Sequence, residues 1–486
     1  MRAIPRSARR SSHARGRVRP VVDRRATTVR ELREAGYEPV SVREEMRRNL
    51  IAGLREERDL FPGIVGYDET VLPRLQNAIL SAQDIILLGE RGQAKTRIIR
   101  GLTALLDEWM PALDGVEIPE NPYAPISAPG RRLVDEFGEN APIRWVHRSE
   151  RYAEKLATPD ITIADLIGEI DPIKVAEGRY LSDELTMHYG LIPHTNRGIF
   201  AINELPDLAE RIQVGLLNVM EERDIQIRGH KVRLALDVLI VATANPEDYT
   251  NRGRIITPLK DRYGSQIRTH YPQAIEDEIA IMEAEGQSYR SDEFEVIVPD
   301  HMKEIVAEIT RLARRSPDVN QRSGVSVRAS VANYEALLAN ALRRAIRLGE
   351  RAVVPRLSDL PFVMPALQGK VELETVEEGR DEQVLERLLQ GAVVAVFNRR
   401  CSVADLADVV DAFSEGESVE TGENLPSSAY EELLTRVSGL SGAVDAVAPG
   451  APPAVLASAV EFLLEGLHLN KRLNKEALAG RTRYRG

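Results

Sequence analysis

A four-residue apolar run, Ile85-Ile86-Leu87-Leu88, leads into Gly89-Glu90-Arg91-Gly92-Gln93-Ala94-Lys95-Thr96, and an amphipathic stretch starts at Thr96. Strand, glycine-bearing loop and helix in that order restrict this part of the chain to an α/β arrangement with a buried strand. The loop turns backbone N–H groups and the positive end of its helix toward one point, which suits phosphate oxygens. On this reading Gly89, Gly92, Gln93, Ala94, Lys95 and Thr96 hold the phosphates of ATP. Lys95 reaches the β- and γ-phosphates, and the Thr96 hydroxyl ligates Mg²⁺. Ala94 stands where the pattern GxxxxGK[ST] has its second glycine. An ordinary φ, supplied by the first helical turn, is expected there.

The remaining composition narrows the class. With 486 residues, 43% of them hydrophobic, the chain has room for about two to four domains with sizeable cores. A charged fraction of 29% and a net charge of −11 suit a cytoplasmic protein. No apolar run approaches the roughly 18 residues of a membrane helix, and no secretory h-region follows the N-terminus. The single Cys401 excludes an intramolecular disulfide and a cysteine metal cluster, and reads as an inert thiol in or near a core. Residues 1–33 hold eleven Arg against Asp23 and Glu31, which leaves −20 for the rest. This start reads as a flexible tail, with a transit peptide or a nucleic-acid arm as alternatives. The acidic remainder argues against a large DNA-binding surface.

Along the chain, Ser41 and Glu44 form a capping box for a helix with Met46, Leu50 and Leu54 on one face. Residues 111–142, rich in Pro, Gly and charge, read as a long loop or insertion. Residues 198–202 and 238–242 read as buried parallel strands. Between them lie a helix carrying Leu208, Ile212, Leu216, Val219 and Met220, then a hairpin around Arg228-Gly229-His230. Beyond residue 300 the pattern is helical. A linker is expected near 414–428, and Lys471-Arg472 through Arg485 reads as a solvated basic helix end.

Three further positions carry chemistry. Asn203-Glu204 ends the second strand, where a nucleotide hydrolase places an Asp for the Mg²⁺ shell and a Glu that polarises water. Glu204 fits the second role. Asn203 accepts a hydrogen bond from metal-bound water but brings no charge. This leaves weaker Mg²⁺ retention, slow turnover, or compensation by another carboxylate such as Asp207. Asn245, after the third strand, is placed to orient water against the γ-phosphate.

Taken in order, these motifs resemble an AAA+ ATPase, on the branch of the magnesium chelatase ATPase subunit and the MoxR proteins. Phe61–Ser81 is similar to that branch's entry into the nucleotide module, and Ala94-Lys95-Thr96 is the MoxR-like loop ending. Leu166–Asp171, Gly178–Leu191, Asn196-Arg197-Gly198, Leu216–Arg223 and Thr257–Gly264 resemble further segments, so the likeness covers about residues 60–350. It implies an α/β fold with an AAA+ P-loop core: a parallel sheet flanked by helices and a pre-sensor β-hairpin, then an α-helical lid and a mostly helical C-terminal region. The implied division is a basic flexible tail (1–40), the nucleotide-binding domain (41–295), the lid (296–400) and a helical extension (401–486). Arg262 is the implied arginine finger, held by Asp261 and offered to a neighbouring subunit, with Arg252 and Arg254 as rivals. Arg328 is the implied lid arginine.

The resemblance further implies a homo-oligomeric, hexameric ring with ATPase activity, slowed by Asn203, that remodels a protein partner through a separate von Willebrand A-type adaptor. No membrane role is expected, and nucleic acid enters only through the basic tails. Two rival functions are a transcription activator acting on RNA polymerase and a weakly hydrolysing, nucleotide-gated scaffold. The first relies on a Gly-Ala-Phe-Thr-Gly-Ala loop that this sequence lacks.

Overall fold

The computed structural model describes residues 24–170, 187–221, 234–245, 254–287, 293–321, 323–374, 380–478 and 480–486. The strands up to residue 268 are β1 (Ile85–Leu88), β2 (Trp109–Leu113), β3 (Ile143–His147), β4 (Tyr152–Leu156), β5 (Gly168–Ile170), β6 (Met187–Tyr189), β7 (Gly198–Asn203), β8 (Val238–Ala244) and β9 (Ser265–Arg268). Five of them form a parallel sheet in the order β4-β7-β8-β1-β9. The fold is α/β, as the strand–loop–helix order requires. Both expected buried strands are present, and every residue of β8 is buried.

Alternation along each strand sends side chains to two covered faces. Ile85, Leu87, Val241 and Ile267 pack against the helices Val42–Arg55, Val71–Leu80 and Lys95–Gly101. Ile86, Ile240 and Ala242 pack against Ile212, Leu216 and Leu259 on the helices Glu210–Glu221 and Thr257–Arg262. Register then aligns the carboxyl ends: Leu88 lies opposite Ala244 and Arg268, and Ile202 opposite Ala242. Gly89, Glu204 and Asn245 therefore leave the sheet along one edge, the side on which open α/β sheets bind ligands.

Several expectations are corrected. Residues 111–142 are not one long loop: β2, the helix Ala128–Phe137 and β3 occupy much of the segment, and β2 pairs antiparallel with β3. Two prolines concealed this. Pro111 lies in a two-stranded ribbon, where an edge tolerates it, and Pro129 sits in a first helical turn, where its missing N–H costs nothing. The flexible tail does not extend to residue 40. Helix Val29–Glu34 buries Val29 and Leu32 beside Leu113 and Ile143, and Thr28 bridges to Pro142. Ser41 caps the helix Val42–Arg55 through the Glu44 N–H, but the Glu44 carboxylate turns to Arg47 at 2.9 Å. Most of the expected pre-sensor hairpin lies outside the described residues; Leu234 and Leu236, at its end, are buried.

Beyond residue 282 one apolar core runs from the helices Asp300–Ala313 and Arg328–Leu348 through Arg380–Arg400 to Pro453–Leu469. The basic C-terminal segment is a β-hairpin, not a helix end. Asn474–Leu478 and Arg481–Arg485 pair antiparallel, and Ser418–Thr421, inside the expected linker, adds a third strand. Arg481 and Arg483 both pair with Glu420, while Tyr484, next in the strand and on the opposite face, is buried. Cys401 is half-buried against this core, and burial pushes its thiol pKa up, in keeping with an inert thiol. No helix among the described residues is long and apolar enough to cross a membrane.

Candidate functional site

The loop after β1 is held from several sides. A Cβ at Gly89 would lie 1.9 Å from Thr269 Oγ1, and one at Gly92 would lie 1.9 Å from Ser326 Oγ. Neither position has room for a side chain. Gln93, itself buried, accepts from Thr269 Oγ1 at 2.7 Å, which fixes its side chain. Ala94 has φ +53° and ψ +12°, the left-handed region, and precedes the helix Lys95–Gly101. The ordinary φ expected there is contradicted. The loop must reverse before the helix starts, and Ala94 carries the strain that a glycine would avoid, about 1–2 kcal/mol. No side chain caps this helix at its N-terminus, and a helix N-terminus of this kind can receive an anion.

Lys95 is 7% exposed, and its ammonium donates to the Gly89 carbonyl, to the Glu90 carbonyl at 2.8 Å and to Asn245 Oδ1 at 2.7 Å. Asn245 in turn donates from Nδ2 to Glu204 Oε2 at 2.6 Å. Chemistry fixes the amide's orientation, because an ammonium only donates and a carboxylate only accepts. Cation, amide and carboxylate thus form one continuous chain across the carboxyl ends of β1, β8 and β7. Glu204 also lies in the left-handed region, with φ +58° and ψ +49°. Its N–H donates to Thr243 Oγ1 at 3.0 Å, which holds the strained residue in place. Thr243 contacts Asn203 Oδ1 only at 3.4 Å, a weak bond.

Thr96 and Asn203, the two residues expected from sequence to face a divalent cation, both carry neutral oxygens. Such a set suits Mg²⁺ carried mainly by phosphates. Among the described residues no group of three or more His, Cys, Asp or Glu could hold a metal alone. A cavity of about 570 Å³ opens beside the loop, lined by Gly89, Glu90, Gln93, Lys260, Arg268 and Thr269. A larger one, about 660 Å³, lies in the C-terminal region, away from this chemistry.

Arg262 and Arg328 are placed differently. Arg328 is exposed and starts the helix Arg328–Leu348, two residues after the Ser326 that touches Gly92. Arg262, in contrast, has no bond to the Lys95–Asn245–Glu204 chain. Its guanidinium pairs with Glu221 at 2.7 Å and with Asp261 at 3.2 Å, and Glu221 is the main cause of its raised pKa. The expected support by Asp261 is thus secondary to Glu221, whose carboxylate lies closer. Arg254 is exposed, and Arg252 lies outside the described residues.

The Sigma-54 interaction domain matches residues 176–259. The 38 kDa subunit of magnesium chelatase from Cereibacter sphaeroides is 25% identical over 236 residues, 46% of this chain and 62% of that protein. The chain is similar to AAA+ ATPases of the magnesium chelatase/MoxR type. YeaC of Bacillus subtilis is 26% identical over 203 residues, covering 38% of this chain and 59% of YeaC. The chain therefore spans about three-fifths of the length of these relatives. Among solved structures, the complex between subunits BchI and BchD of magnesium chelatase aligns at 19% identity and TM-score 0.34, over 67% of this chain and 98% of that one. NtrX from Brucella abortus aligns at 14% identity and TM-score 0.38, over 72% and 67%.

Four residues around the glycine-bearing loop were not singled out from sequence: Thr243, Thr269, Tyr67 and Tyr271. Thr243 had a legible signal, two positions before Asn245 on the same strand face. Tyr67 donates toward Gln93 O at 3.1 Å and His270 O at 2.6 Å, and burial pushes its pKa up to about 12. Tyr271 donates to Arg91 O at 3.0 Å. Both tyrosines grip loop carbonyls from distant segments, which no local pattern announces.

Proposed function

We propose that this chain binds ATP with Mg²⁺ and hydrolyses it slowly, as a subunit of a homo-oligomeric ring that remodels a protein partner. The observation that carries this reading is the Lys95–Asn245–Glu204 chain at the mouth of a glycine loop. Lys95 and the uncapped N–H groups of its helix bind the phosphates, where charge-assisted contacts contribute most. Glu204 accepts a proton from the attacking water as the bond from the γ-phosphorus to its bridging oxygen breaks, giving ADP and phosphate. Asn245 positions that carboxylate against the cation. A bound Mg²⁺ would supply charge neutralisation on the phosphates, with Thr96 and Asn203 as the chain's own oxygens toward it.

Asn203 makes turnover slow in this reading, because a neutral amide holds a cation less firmly than a carboxylate. Asn203→Asp should raise the hydrolysis rate, most at low Mg²⁺. A Mg²⁺ dependence identical to that of the unsubstituted protein would remove Asn203 as the limiting feature.

Arg262 is proposed to act in the neighbouring subunit's site, exchanging its Glu221 partner for a transferring phosphoryl group. Subunits carrying Arg262→Ala and Lys95→Ala are each expected to be inactive. Mixed assemblies should recover activity, since some interfaces pair an intact loop with an intact arginine. Verified mixed rings that stay inactive at every ratio would contradict action in trans. The partner is proposed to be a separate polypeptide of the von Willebrand A-type adaptor class, by analogy with the two-subunit chelatase complex. A second reading, remodelling of RNA polymerase, draws on the Sigma-54 interaction domain match. Co-purification with ATP separates them: an adaptor supports the first and RNA polymerase the second.

A further inference from the structure

The hydroxyl of Tyr271 and the carbonyl of Arg91 meet at 3.0 Å. That carbonyl belongs to the same planar peptide as the N–H of Gly92, so fixing one end fixes the direction of the other. Gly92 is one of the loop positions assigned to phosphate. On its other side Tyr271 carries the guanidinium of Arg314 over its ring, 4.2 Å from the centroid.

Arg314 is the junction of this region. Its Nε donates to the carbonyl of Val325 at 2.9 Å, and its two terminal nitrogens donate to the two oxygens of Glu278 at 2.8 and 3.0 Å. Glu278 is 3% exposed and also accepts from Ser330 Oγ at 2.6 Å, inside the helix that Arg328 begins. The intervening segment rests on the loop directly. A Cβ on Gly324 would lie 2.4 Å from Glu90 Oε2 and 2.6 Å from the Tyr271 hydroxyl, and Ser326 lies against Gly92. Arg314 thus bonds the segment before Arg328, packs on the ring that holds a loop peptide, and reaches the helix after Arg328 through Glu278.

We propose that Tyr271 and Arg314 are positioning residues that transmit phosphate contact at the Gly92 peptide to residues 323–330, and so set where Arg328 stands. The proposal rests on the nucleotide-binding reading above. Neither residue touches the reacting atoms. A guanidinium is required at this junction, because only its planar fork serves a carboxylate, a carbonyl and a ring face at once.

Arg314→Ala would strand the buried Glu278 carboxylate and risk unfolding. Tyr271→Phe and Arg314→Lys are the better variants. The first keeps the ring under the guanidinium and removes only the hydroxyl; the second keeps the charge and removes the fork. Backbone hydrogen exchange on the full chain, with and without Mg·ATP, reads both ends of the relay. In the unsubstituted protein Mg·ATP should slow exchange in residues 89–96 and in residues 323–334. In either variant the slowing at 89–96 should persist at saturating nucleotide, while that at 323–334 falls by about fivefold, the worth of one hydrogen bond. Undiminished protection of 323–334 in both variants would overturn the relay, as would proportional loss in both segments. Protection of 89–96 without any change at 323–334 in the unsubstituted protein would overturn the relay alone. No protection of 89–96 in the unsubstituted protein would overturn the nucleotide-binding reading and the relay with it.

Discussion

Glu204→Gln is expected to lower ATP turnover by about 10²–10⁴-fold, the range for loss of a positioned general base. ATP affinity should stay within about twofold, because the substitution spares every contact assigned to the phosphates. The carboxamide keeps the shape of the carboxylate, and its oxygen can still accept from Asn245 Nδ2, which now donates to Glu204 at 2.6 Å. The left-handed backbone and the N–H bond to Thr243 do not depend on side-chain charge, so the residue should stay in place. What disappears is the ability to take a proton from water. Steady-state phosphate release, measured beside nucleotide binding, separates these effects. A rate that Glu204→Gln leaves unchanged would mean that another group, or a contaminant, performs the hydrolysis.

Much of this site is legible before any coordinates, and the reason is local. The apolar run of β1, the glycines and Lys95-Thr96 are contiguous, and strands β7 and β8 each present their functional residues at a carboxyl end. Parallel pairing then brings the ends together without further information. What sequence reading misses is set by contacts between distant segments. The grip of Tyr67 and Tyr271 on loop carbonyls spans 26 and 180 residues of chain. Ala94 is misjudged because helix-start alanines ordinarily have negative φ, whereas this loop reverses one residue earlier. In the C-terminal hairpin, the run Arg-Thr-Arg-Tyr-Arg reads as charge; its period of two is the stronger signal, since Tyr484 buries its ring and Glu420 neutralises the outward arginines. Glu221, the nearer partner of Arg262, lies on a helix 41 residues upstream, so the adjacent Asp261 was the only partner a local reading could offer.

The Lys95 ammonium, held between two loop carbonyls and Asn245, is proposed as the cation of an ATP site. Truncation removes a charge-assisted contact worth about 1.5–3 kcal/mol, or about 10- to 150-fold in affinity. It also leaves the buried Asn245 oxygen without its donor, so the fold of the variant needs checking by circular dichroism and thermal melting. The deciding measurement is a calorimetric titration of Mg·ATP into the unsubstituted protein and into folded Lys95→Ala. The account predicts saturable binding in the first and a Kd raised by at least about tenfold in the second. Equal affinity in the two proteins, or no binding in either, would contradict it.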